Sequence, residues 1–411
     1  MNLYIFNKTS RAAVYGIGTY IRELSAALKG SAINVYVVHL MFDKPDMEMV
    51  ETDNVWHWFI PSPINRNTSL DRIQQSELYY RNVVYLLQLQ IMDTKELVFH
   101  MNYNESGKFV EELKKTFDCK IISTLHYLDW CFKLSGNLTR FRNHLMSEKS
   151  HITEDTNKIS EVYREEKEYL EEVDHIICLS ENTRQIILND YMIKSCKISL
   201  VYNGLTDSAS VSTKSVLRQK YRIPDVPIIL FVGRLHDSNN KGLKNALQAF
   251  KIVLNTLPHC HFIIVGSGEF DIYLKECEDI WTLVTWTGLI EKEKLYDLYS
   301  IADIGVMPSF HEQCSYVAIE MMMHGVPLVA AGTGLCEMVE DRVTGLHIPV
   351  SEYEDRAEID NYLLAEKMLY LLQHPKERQR MGANARKRYE TVYSAQIFRQ
   401  NMIDVYKSLN C

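Results

Sequence analysis

Short runs of β-branched and other apolar residues alternate along this chain with longer segments in which apolar residues recur at helical spacing. This alternation predicts strands joined by crossover helices, the pattern of a parallel β-sheet in an α/β protein. The predicted strands are Leu3–Phe6, Ile33–His39, Val98–Met101, Lys120–Leu125, His175–Leu179, Ile198–Val201, Pro227–Val232, His261–Val265, Thr282–Thr287, Ile304–Met307 and Pro327–Ala330. The run Ile228–Val232 is apolar at every position, as expected for a strand that is covered on both faces.

A small, polar segment, Asn203–Thr213, separates the two series of predicted strands. Its composition is typical of a linker. The linker predicts an N-terminal α/β domain over residues 1–205 and a C-terminal α/β domain over residues 206–390. The remaining residues, about 391–411, are expected to form a helix that packs back on the first domain.

The composition narrows the class of protein. The chain has 411 residues, 46% of them apolar, and a net charge of −8, which fits two globular domains and argues against nucleic-acid binding. Nine scattered cysteines without a C-x-x-C pair argue against a disulfide framework and a structural zinc site, and favour a cytoplasmic location. The first residues predict a strand rather than a signal peptide, and no run of 18 apolar residues occurs. Contact with a membrane surface stays open.

Because ligands of open parallel sheets bind beyond the carboxyl ends of the strands, the segments after each strand are the candidate sites. Gly16 and Gly18 follow the first strand and precede an amphipathic helix, so their backbone N–H groups could bind a phosphate. A tight strand-to-helix turn explains them equally well. Ile21 stands where a dinucleotide fingerprint has its third glycine, and no acidic residue ends the second strand, which argues against NAD.

Two cations follow the strand Ile228–Val232. Arg234 stands at the strand end beside Gly233, and Lys241 precedes Gly242 at the start of the next helix. A diphosphate leaving group needs such cations to neutralise it. Solvated surface cations are the alternative, but the strand-end position and the adjacent glycines favour a functional role.

Two glutamates follow the strand Ile304–Met307. Glu312 lies in the loop at the strand end, where it is either a site residue or a solvent-facing acid. Glu320 lies within an apolar helix, where a buried carboxylate needs hydrogen-bond donors. A ribose diol would supply two donors, and a structural salt bridge is the alternative.

His126 ends the strand Lys120–Leu125, and His100 ends another strand. Either histidine can be a hydrogen-bonded structural residue. For His126, the strand-end position makes a catalytic role a comparable alternative. The chain has no G-x-S-x-G and no H-E-x-x-H motif. It also lacks an Asp-x-Asp motif that would hold a divalent metal against a nucleoside diphosphate, so neither a metal nor another cofactor is expected.

In their order along the chain, these segments resemble the retaining GT-B glycosyltransferases of family four. The segments that carry the resemblance are Gly16–Gly18, Thr124–His126, Asp174–Thr183, Tyr202–Gly204, Leu230–Leu235, Lys241–Gly242, Ile263–Glu269, Glu312 with Glu320, and Met338–Leu346. The family usually has Glu-Gly-Phe-Gly at its first glutamate, whereas this chain has Glu312-Gln313-Cys314-Ser315. The likeness covers nearly the whole chain.

The resemblance implies two Rossmann-like domains that face each other across a cleft. It also implies a retaining, metal-independent transfer of a sugar from a nucleotide sugar, with UDP as the commonest nucleotide in the family. The residues it makes catalytic are His126, Arg234, Lys241 and Glu312. Those it makes donor-binding are Gly16, Gly18, Gly233, Arg234, Lys241, Gly266, Gln313, Cys314, Ser315 and Glu320, with Glu320 on the ribose.

The acceptor is expected on the first domain and is a glycan, a lipid-linked sugar or a peptide. The mildly basic segment Lys133–His151 is a candidate acceptor contact, although an ordinary surface helix is the simpler explanation. Two other functions stay open: a nucleotide-sugar hydrolase or epimerase of the same fold, and a catalytically silent nucleotide-sugar-binding subunit. The intact set of Arg234, Lys241, Glu312 and Glu320 argues against the silent subunit.

Overall fold

The computed structural model describes residues 1–8, 16–62, 72–104, 107–147, 154–210, 212–235, 238–269 and 271–409. The chain divides into two compact units. The first unit consists of Met1–Asp129, Ser147–Gly204 and Ala395–Cys411, and the second consists of Trp130–Met146 and Leu205–Ser394.

The strands, in chain order, are β1 (Asn2–Lys8), β2 (Asn34–Phe42), β3 (Glu48–Thr52), β4 (Val55–Pro61), β5 (Leu97–Met101), β6 (Cys119–Leu125), β7 (His175–Cys178), β8 (Ile198–Leu200), β9 (Ile228–Val232), β10 (His261–Val265), β11 (Val284–Gly288), β12 (Ile304–Met307), β13 (Leu328–Ala331), β14 (Gly345–Ile348), β15 (Val350–Glu352) and β16 (Ala357–Ile359).

The α-helices are α1 (Gly16–Leu28), α2 (Arg72–Gln90), α3 (Gly107–Thr116), α4 (Asp129–Leu134), α5 (Leu138–Ser147), α6 (Glu154–Glu172), α7 (Glu181–Asn189), α8 (Lys214–Tyr221), α9 (Leu243–Leu254), α10 (Asp271–Leu274), α11 (Lys292–Ile301), α12 (Tyr316–Met323), α13 (Thr333–Met338), α14 (Asn361–Gln373), α15 (Pro375–Arg388) and α16 (Ala395–Ser408). Short 3₁₀ segments cover Ser195–Lys197, Lys275–Cys277 and Trp281–Leu283, and a π-helical turn covers Tyr389–Tyr393. None of the helices in the described ranges combines the length and the hydropathy needed to cross a membrane.

The first unit is built on an eight-stranded sheet in the order β3-β4-β2-β1-β5-β6-β7-β8. All neighbouring strands are parallel except β3, which pairs antiparallel with β4. The strand order reverses between β1 and β5, so a crevice is expected at the carboxyl ends of these two strands. Helix α16 belongs to this unit, where the Arg399 guanidinium donates to the carbonyl oxygens of Ala27 and Lys29.

The second unit is built on a six-stranded parallel sheet in the order β11-β10-β9-β12-β13-β14. Its central strand β9 is buried because every side chain in it is apolar, and α9 packs its apolar face on the same core. The strand order reverses between β9 and β12. The loops after these two strands therefore form the expected ligand site of this unit.

Three parts of the fold differ from the sequence expectation. The edge strand β3, its neighbour β4 and the strands β14 to β16 were not predicted. Trp130–Met146, which chain order would assign to the first domain, clusters with the second unit. The helix expected at about 391–411 begins at Ala395, after the π-helical turn.

Candidate active site

The loops that follow β9 and β12 lie side by side where the strand order of the second unit reverses, a position that we call its switch point. The backbone N–H of Phe310 donates to the carbonyl oxygen of Asn240 at 3.0 Å, which joins the two loops directly. Asn240 precedes Lys241, and Phe310 lies two residues before Glu312. The fold thus brings together two residues that the sequence placed at separate strand ends.

Lys241 and Glu312 form an ion pair between Nζ and Oε1. The side chain of Glu312 is 12% exposed and that of Lys241 is 40% exposed, so the carboxylate is mostly covered while the ammonium faces partly outward. Ser309 Oγ also donates to Glu312 Oε1, at 3.2 Å. No described residue hydrogen-bonds to Glu312 Oε2. One oxygen of the carboxylate is therefore fixed, and the other is available to a ligand.

Arg234 lies just beyond the carboxyl end of β9 and is exposed. Its guanidinium makes no hydrogen bond or ion pair with any residue in the described ranges. An arginine presents five N–H donors in a planar fork that matches phosphate oxygens. The position and the unused donors fit the anion-binding role that the sequence predicts.

The residues on either side of Glu312 hold buried polar atoms without partners. Gln313 is 5% exposed, and its side-chain nitrogen and oxygen both lack a hydrogen bond to any described residue. Nε2 of His311 is buried and unpaired in the same way. An unsatisfied buried polar group costs about 1–3 kcal/mol, so these atoms point to a hydroxyl-bearing ligand or to water. Burial also lowers the pKa of His311 to about 4, so its ring is neutral.

The next two residues begin α12. Cys314 is buried, and Ser315 is the N-cap residue of the helix without a capping hydrogen bond from its side chain. The Ser315 N–H points at the sulfur of Met338, at 3.2 Å. Because a thioether is a weak acceptor, the Ser315 N–H can still donate a hydrogen bond to a bound anion.

Glu320 is buried in α12, as its apolar sequence context suggests. Its carboxylate accepts hydrogen bonds from the hydroxyls of Tyr299 at 2.8 Å and Tyr296 at 3.3 Å, both on α11. The two donors that the sequence argument assigned to a ribose are thus supplied by the protein itself. Burial alone does not require a ribose here, and that role stays a prediction from the family resemblance. The three-residue spacing of the tyrosines on α11 was the one sequence signal for this contact.

The predicted donor-binding glycines of the second unit have a packing role. The Gly233 N–H donates to the carbonyl oxygen of Val265 at 3.0 Å, and the Gly266 N–H donates to that of Gly288 at 3.1 Å. A Cβ on Gly266 would lie 1.8 Å from the Gly233 carbonyl oxygen, and its φ is +146°. Only glycine therefore lets the turn after β10 approach the turn after β9 so closely.

His126, in the first unit, is fixed by hydrogen bonding. Its Nε2–H donates to Asn102 Oδ1 at 3.0 Å, and the Asn102 amide donates to the Phe6 carbonyl oxygen at 3.2 Å. Burial lowers the pKa of His126 to about 3, so its imidazole is neutral at physiological pH. The ring can position a hydroxyl, but it is a weak base.

His100 is a structural residue. Its two ring nitrogens are hydrogen-bonded to the hydroxyls of Thr124 and Tyr406, each at 2.7 Å, and the residue is fully buried. Gly16 and Gly18 form the first turn of α1, with Gly16 exposed. The loop before them, residues 9–15 with Tyr15, lies outside the described residues.

The other sequence expectations concern an acceptor segment and metals. Within Lys133–His151, the part up to Met146 belongs to the second unit, and residues 148–151 lie outside the described residues. Among the described side chains, no group of three or more His, Cys, Asp or Glu residues is placed to hold a metal ion.

Comparisons with known proteins agree with this architecture. The model of glycosyltransferase family 4 matches residues 14–208, and that of glycosyl transferases group 1 matches residues 226–374. The alpha-D-kanosaminyltransferase of Streptomyces kanamyceticus is 27% identical over 214 residues, which are 51% of this chain and 53% of that protein. The chain spans about half the length of the first curated relatives it matches.

Solved structures show the same fold over the whole chain. Sucrose-phosphate synthase from Thermosynechococcus elongatus has a TM-score of 0.75 at 22% identity and covers 100% of this chain and 99% of its own. The Anabaena protein HepE, in complex with UDP-glucose, has a TM-score of 0.67 at 15% identity and covers 99% of this chain and 100% of its own. These matches confirm the predicted GT-B fold with two parallel-sheet α/β domains. The two family models together cover most of the chain, which therefore belongs to the group 1, family 4 glycosyltransferases.

Proposed function

We propose that this protein transfers a sugar from a nucleoside diphosphate sugar to a hydroxyl of an acceptor, with retention of the anomeric configuration. The observation that carries the proposal is the Lys241–Glu312 ion pair together with Arg234, which has no hydrogen-bond partner among the described residues, where the strand order of the second unit reverses. The names of the relatives, such as a kanosaminyltransferase, support glycosyl transfer. Retention rests on the family resemblance.

In this reaction the bond between the anomeric carbon and the diphosphate oxygen breaks, and negative charge grows on the diphosphate. Arg234 and Lys241 supply positive charge to that leaving group. An ammonium has three N–H donors, so Lys241 can keep its bond to Glu312 and still donate to a phosphate oxygen. Because the two cations do the electrostatic work of a metal, we propose that the transfer needs no divalent ion.

The donor sugar would lie beside Glu312. Its hydroxyls can donate to Glu312 Oε2, and they can pair with the unsatisfied amide of Gln313 and with Nε2 of His311. In family members that have glycine in place of Gln313, the loop offers no side chain at this position. Gln313 is therefore our candidate for a residue that selects the donor sugar.

The nucleotide is proposed to be uridine diphosphate, which the similar HepE structure contains as part of UDP-glucose. Glu320 would accept from the ribose, with Tyr296 and Tyr299 holding the carboxylate in place. The start of α12 near Ser315 would add the positive end of a helix dipole to the phosphate site.

The acceptor is proposed to be a glycan, a lipid-linked sugar or a peptide that binds the first unit near Gly16, Gly18 and His126. A neutral, hydrogen-bonded His126 suits the orientation of a hydroxyl better than the removal of its proton. The released phosphate oxygens can accept that proton, so a same-face attack needs no basic side chain.

A screen of UDP- and GDP-sugars tests the proposal. One UDP-sugar should raise the melting temperature most, and mass spectrometry should detect its sugar on an added acceptor. EDTA should leave the rate unchanged. Abolition by EDTA with recovery on adding a divalent ion would contradict metal independence. Sugar release or epimerisation as the sole reaction, with or without acceptors, would favour the hydrolase or epimerase alternative.

A further inference from the structure

Two short helices of the second unit come from the N-terminal half of the chain. The segment Trp130–Met146 leaves the first unit after Asp129, forms most of α4 and α5, and returns to the first unit at Ser147. Trp130 stacks on Phe141 with ring centroids 4.2 Å apart, which holds the two helices together. We call Trp130–Met146 the helical hairpin.

The helical hairpin is attached to β15 and to the turn between β15 and β16 by hydrogen bonds. The Asn137 side-chain amide donates to the carbonyl oxygens of Tyr353 and Arg356, at 2.8 and 3.0 Å. The Glu352 carboxylate accepts from the backbone N–H groups of Leu138 and Thr139, at 3.3 and 3.0 Å. These bonds fix the turn of the hairpin in the second unit.

That turn contacts the immediate neighbours of both members of the ion pair. Ser135 Oγ donates to Oδ1 of Asn240, the residue before Lys241, at 3.0 Å. Gly136 packs on the ring of His311, the residue before Glu312, so closely that a Cβ there would lie 2.5 Å from the His311 Cβ. Gly136 has φ +70°, which favours glycine on conformational grounds as well.

We propose that the Ser135–Gly136 turn is a positioning element for the Lys241–Glu312 pair, acting through Asn240 and His311. The inference rests on the function proposed above. The two loops that carry the pair are joined to each other by the bond from Phe310 to Asn240. The turn contacts both loops one residue away from the charges, so it limits the motions that would separate or rotate them.

Gly136→Ala tests the proposal because the new methyl group must displace His311. A misplacement of about 1 Å at a reacting centre can cost on the order of 100-fold in rate, and we expect a loss of kcat approaching that size. Donor hydrolysis and transfer with UDP-glucose as the probe should both slow, whereas the Kd for UDP should stay unchanged. Hydrogen exchange should become faster in residues 238–242 and 308–315.

Gly30→Ala is the matched control. Gly30 has φ +73°, nearly that of Gly136, but a Cβ there meets no atom within 4 Å, and it lies in the first unit, in the loop between α1 and β2. Gly30→Ala therefore introduces a similar backbone strain without displacing a neighbouring side chain. Equal losses of kcat in the two variants, or normal kcat and normal exchange in Gly136→Ala, would overturn the proposal.

Two milder variants keep the test decisive if Gly136→Ala fails to fold. Ser135→Ala removes only the bond to Asn240, and Glu352→Gln weakens the acceptor of the Leu138 and Thr139 N–H groups without burying a new charge. Both should speed exchange in the two loops and lower kcat less than Gly136→Ala. Unchanged exchange in both would overturn the proposal. If the wild type binds and cleaves none of the screened UDP- and GDP-sugars, the proposed function fails, while the exchange data still decide whether the turn restrains the loops.

Discussion

At the carboxyl ends of β5 and β6, the first unit carries neutral side chains that are hydrogen-bonded to their neighbours, whereas the ends of β9 and β12 in the second unit carry charges and buried polar atoms without partners among the described residues. His126 is bonded to Asn102, and His100 lies between Thr124 and Tyr406. In the second unit, Arg234 is exposed and Gln313 is buried without a partner in the described ranges. In both units these residues lie at the carboxyl ends of parallel strands, at or next to the point where the strand order of the sheet reverses.

The difference indicates which unit binds the diphosphate and which binds the acceptor. Charge development on a leaving group requires fixed charges close to it, and in the second unit an arginine and a lysine, Arg234 and Lys241, both follow β9. Satisfied, neutral groups cannot stabilise that charge, but they can hold a hydroxyl in one orientation. We therefore assign the diphosphate to the second unit and the acceptor to the first.

The largest expected effect comes from removing the two cations. Arg234→Ala and Lys241→Ala should each lower kcat by roughly 100- to 1,000-fold, equivalent to about 3–4 kcal/mol of transition-state stabilisation. Arg234→Ala should not lower the melting temperature appreciably, because its side chain is exposed. Lys241→Ala should lower it, because the mostly covered Glu312 carboxylate loses its ion-pair partner. Lys244→Ala is the matched control, since Lys244 is an exposed cation of the same region that pairs with Glu276. Near-normal turnover of both test variants in steady-state kinetics would contradict the assignment of Arg234 and Lys241 to the diphosphate leaving group.

The two glutamates should separate binding from transfer. Glu320→Gln should weaken UDP binding by roughly 10- to 150-fold, the usual worth of a hydrogen bond to a charged group, about 1.5–3 kcal/mol. Glu312→Gln should keep UDP binding and lower kcat. Calorimetry with UDP measures the first effect, and initial rates measure the second. An equal loss of UDP affinity in both variants would show that the two roles are wrongly divided.

A smaller effect tests whether the buried histidines of the first unit, His100 and His126, are uncharged. Burial lowers the pKa of His100 and of His126 to about 3, whereas an unfolded histidine titrates near 6.5. The unfolded state therefore binds the extra protons below about pH 6.5, and stability falls as the pH falls from there towards 4. Glu166, whose pKa is raised to about 8 mainly by burial, contributes in the opposite direction over part of this range.

Urea unfolding at several pH values isolates the contribution of one histidine. His126→Asn should reduce the slope of the unfolding free energy between pH 6 and 4 by about 1.3 kcal/mol per pH unit. The exposed His259→Asn serves as the control and should leave the slope as in the wild type. If His126→Asn has the wild-type slope, then His126 is not held neutral.

The parts of the site that could be predicted from the sequence depend on parallel strands. Lys241 and Glu312 are 71 residues apart, yet both follow buried apolar strands, and the carboxyl ends of neighbouring parallel strands share one edge. The fold class followed from the same apolar runs. β4, next to the edge strand β3, was missed because buried and more exposed residues alternate along it: Trp58 is buried, whereas Trp56 is 41% exposed. β14 was missed because it has only four residues and begins with glycine.

The helical hairpin could not be placed from the sequence. The bonds that attach Asn137 to the turn between β15 and β16 join residues more than 200 positions apart, and no local pattern indicates such a partner. Chain order alone would assign the hairpin to the first domain. The tyrosine donors to Glu320 were missed for a related reason, since they lie on the preceding helix and replace the ligand that the burial argument invoked.

A crystal structure of the protein with UDP tests the central claim most directly. We predict that the diphosphate lies within hydrogen-bonding distance of the Arg234 guanidinium and the Lys241 ammonium, with the ribose hydroxyls at Glu320. A UDP molecule bound at the carboxyl edge of the first sheet, with Arg234 and Lys241 not in contact with it, would contradict the assignment of the diphosphate to the second unit.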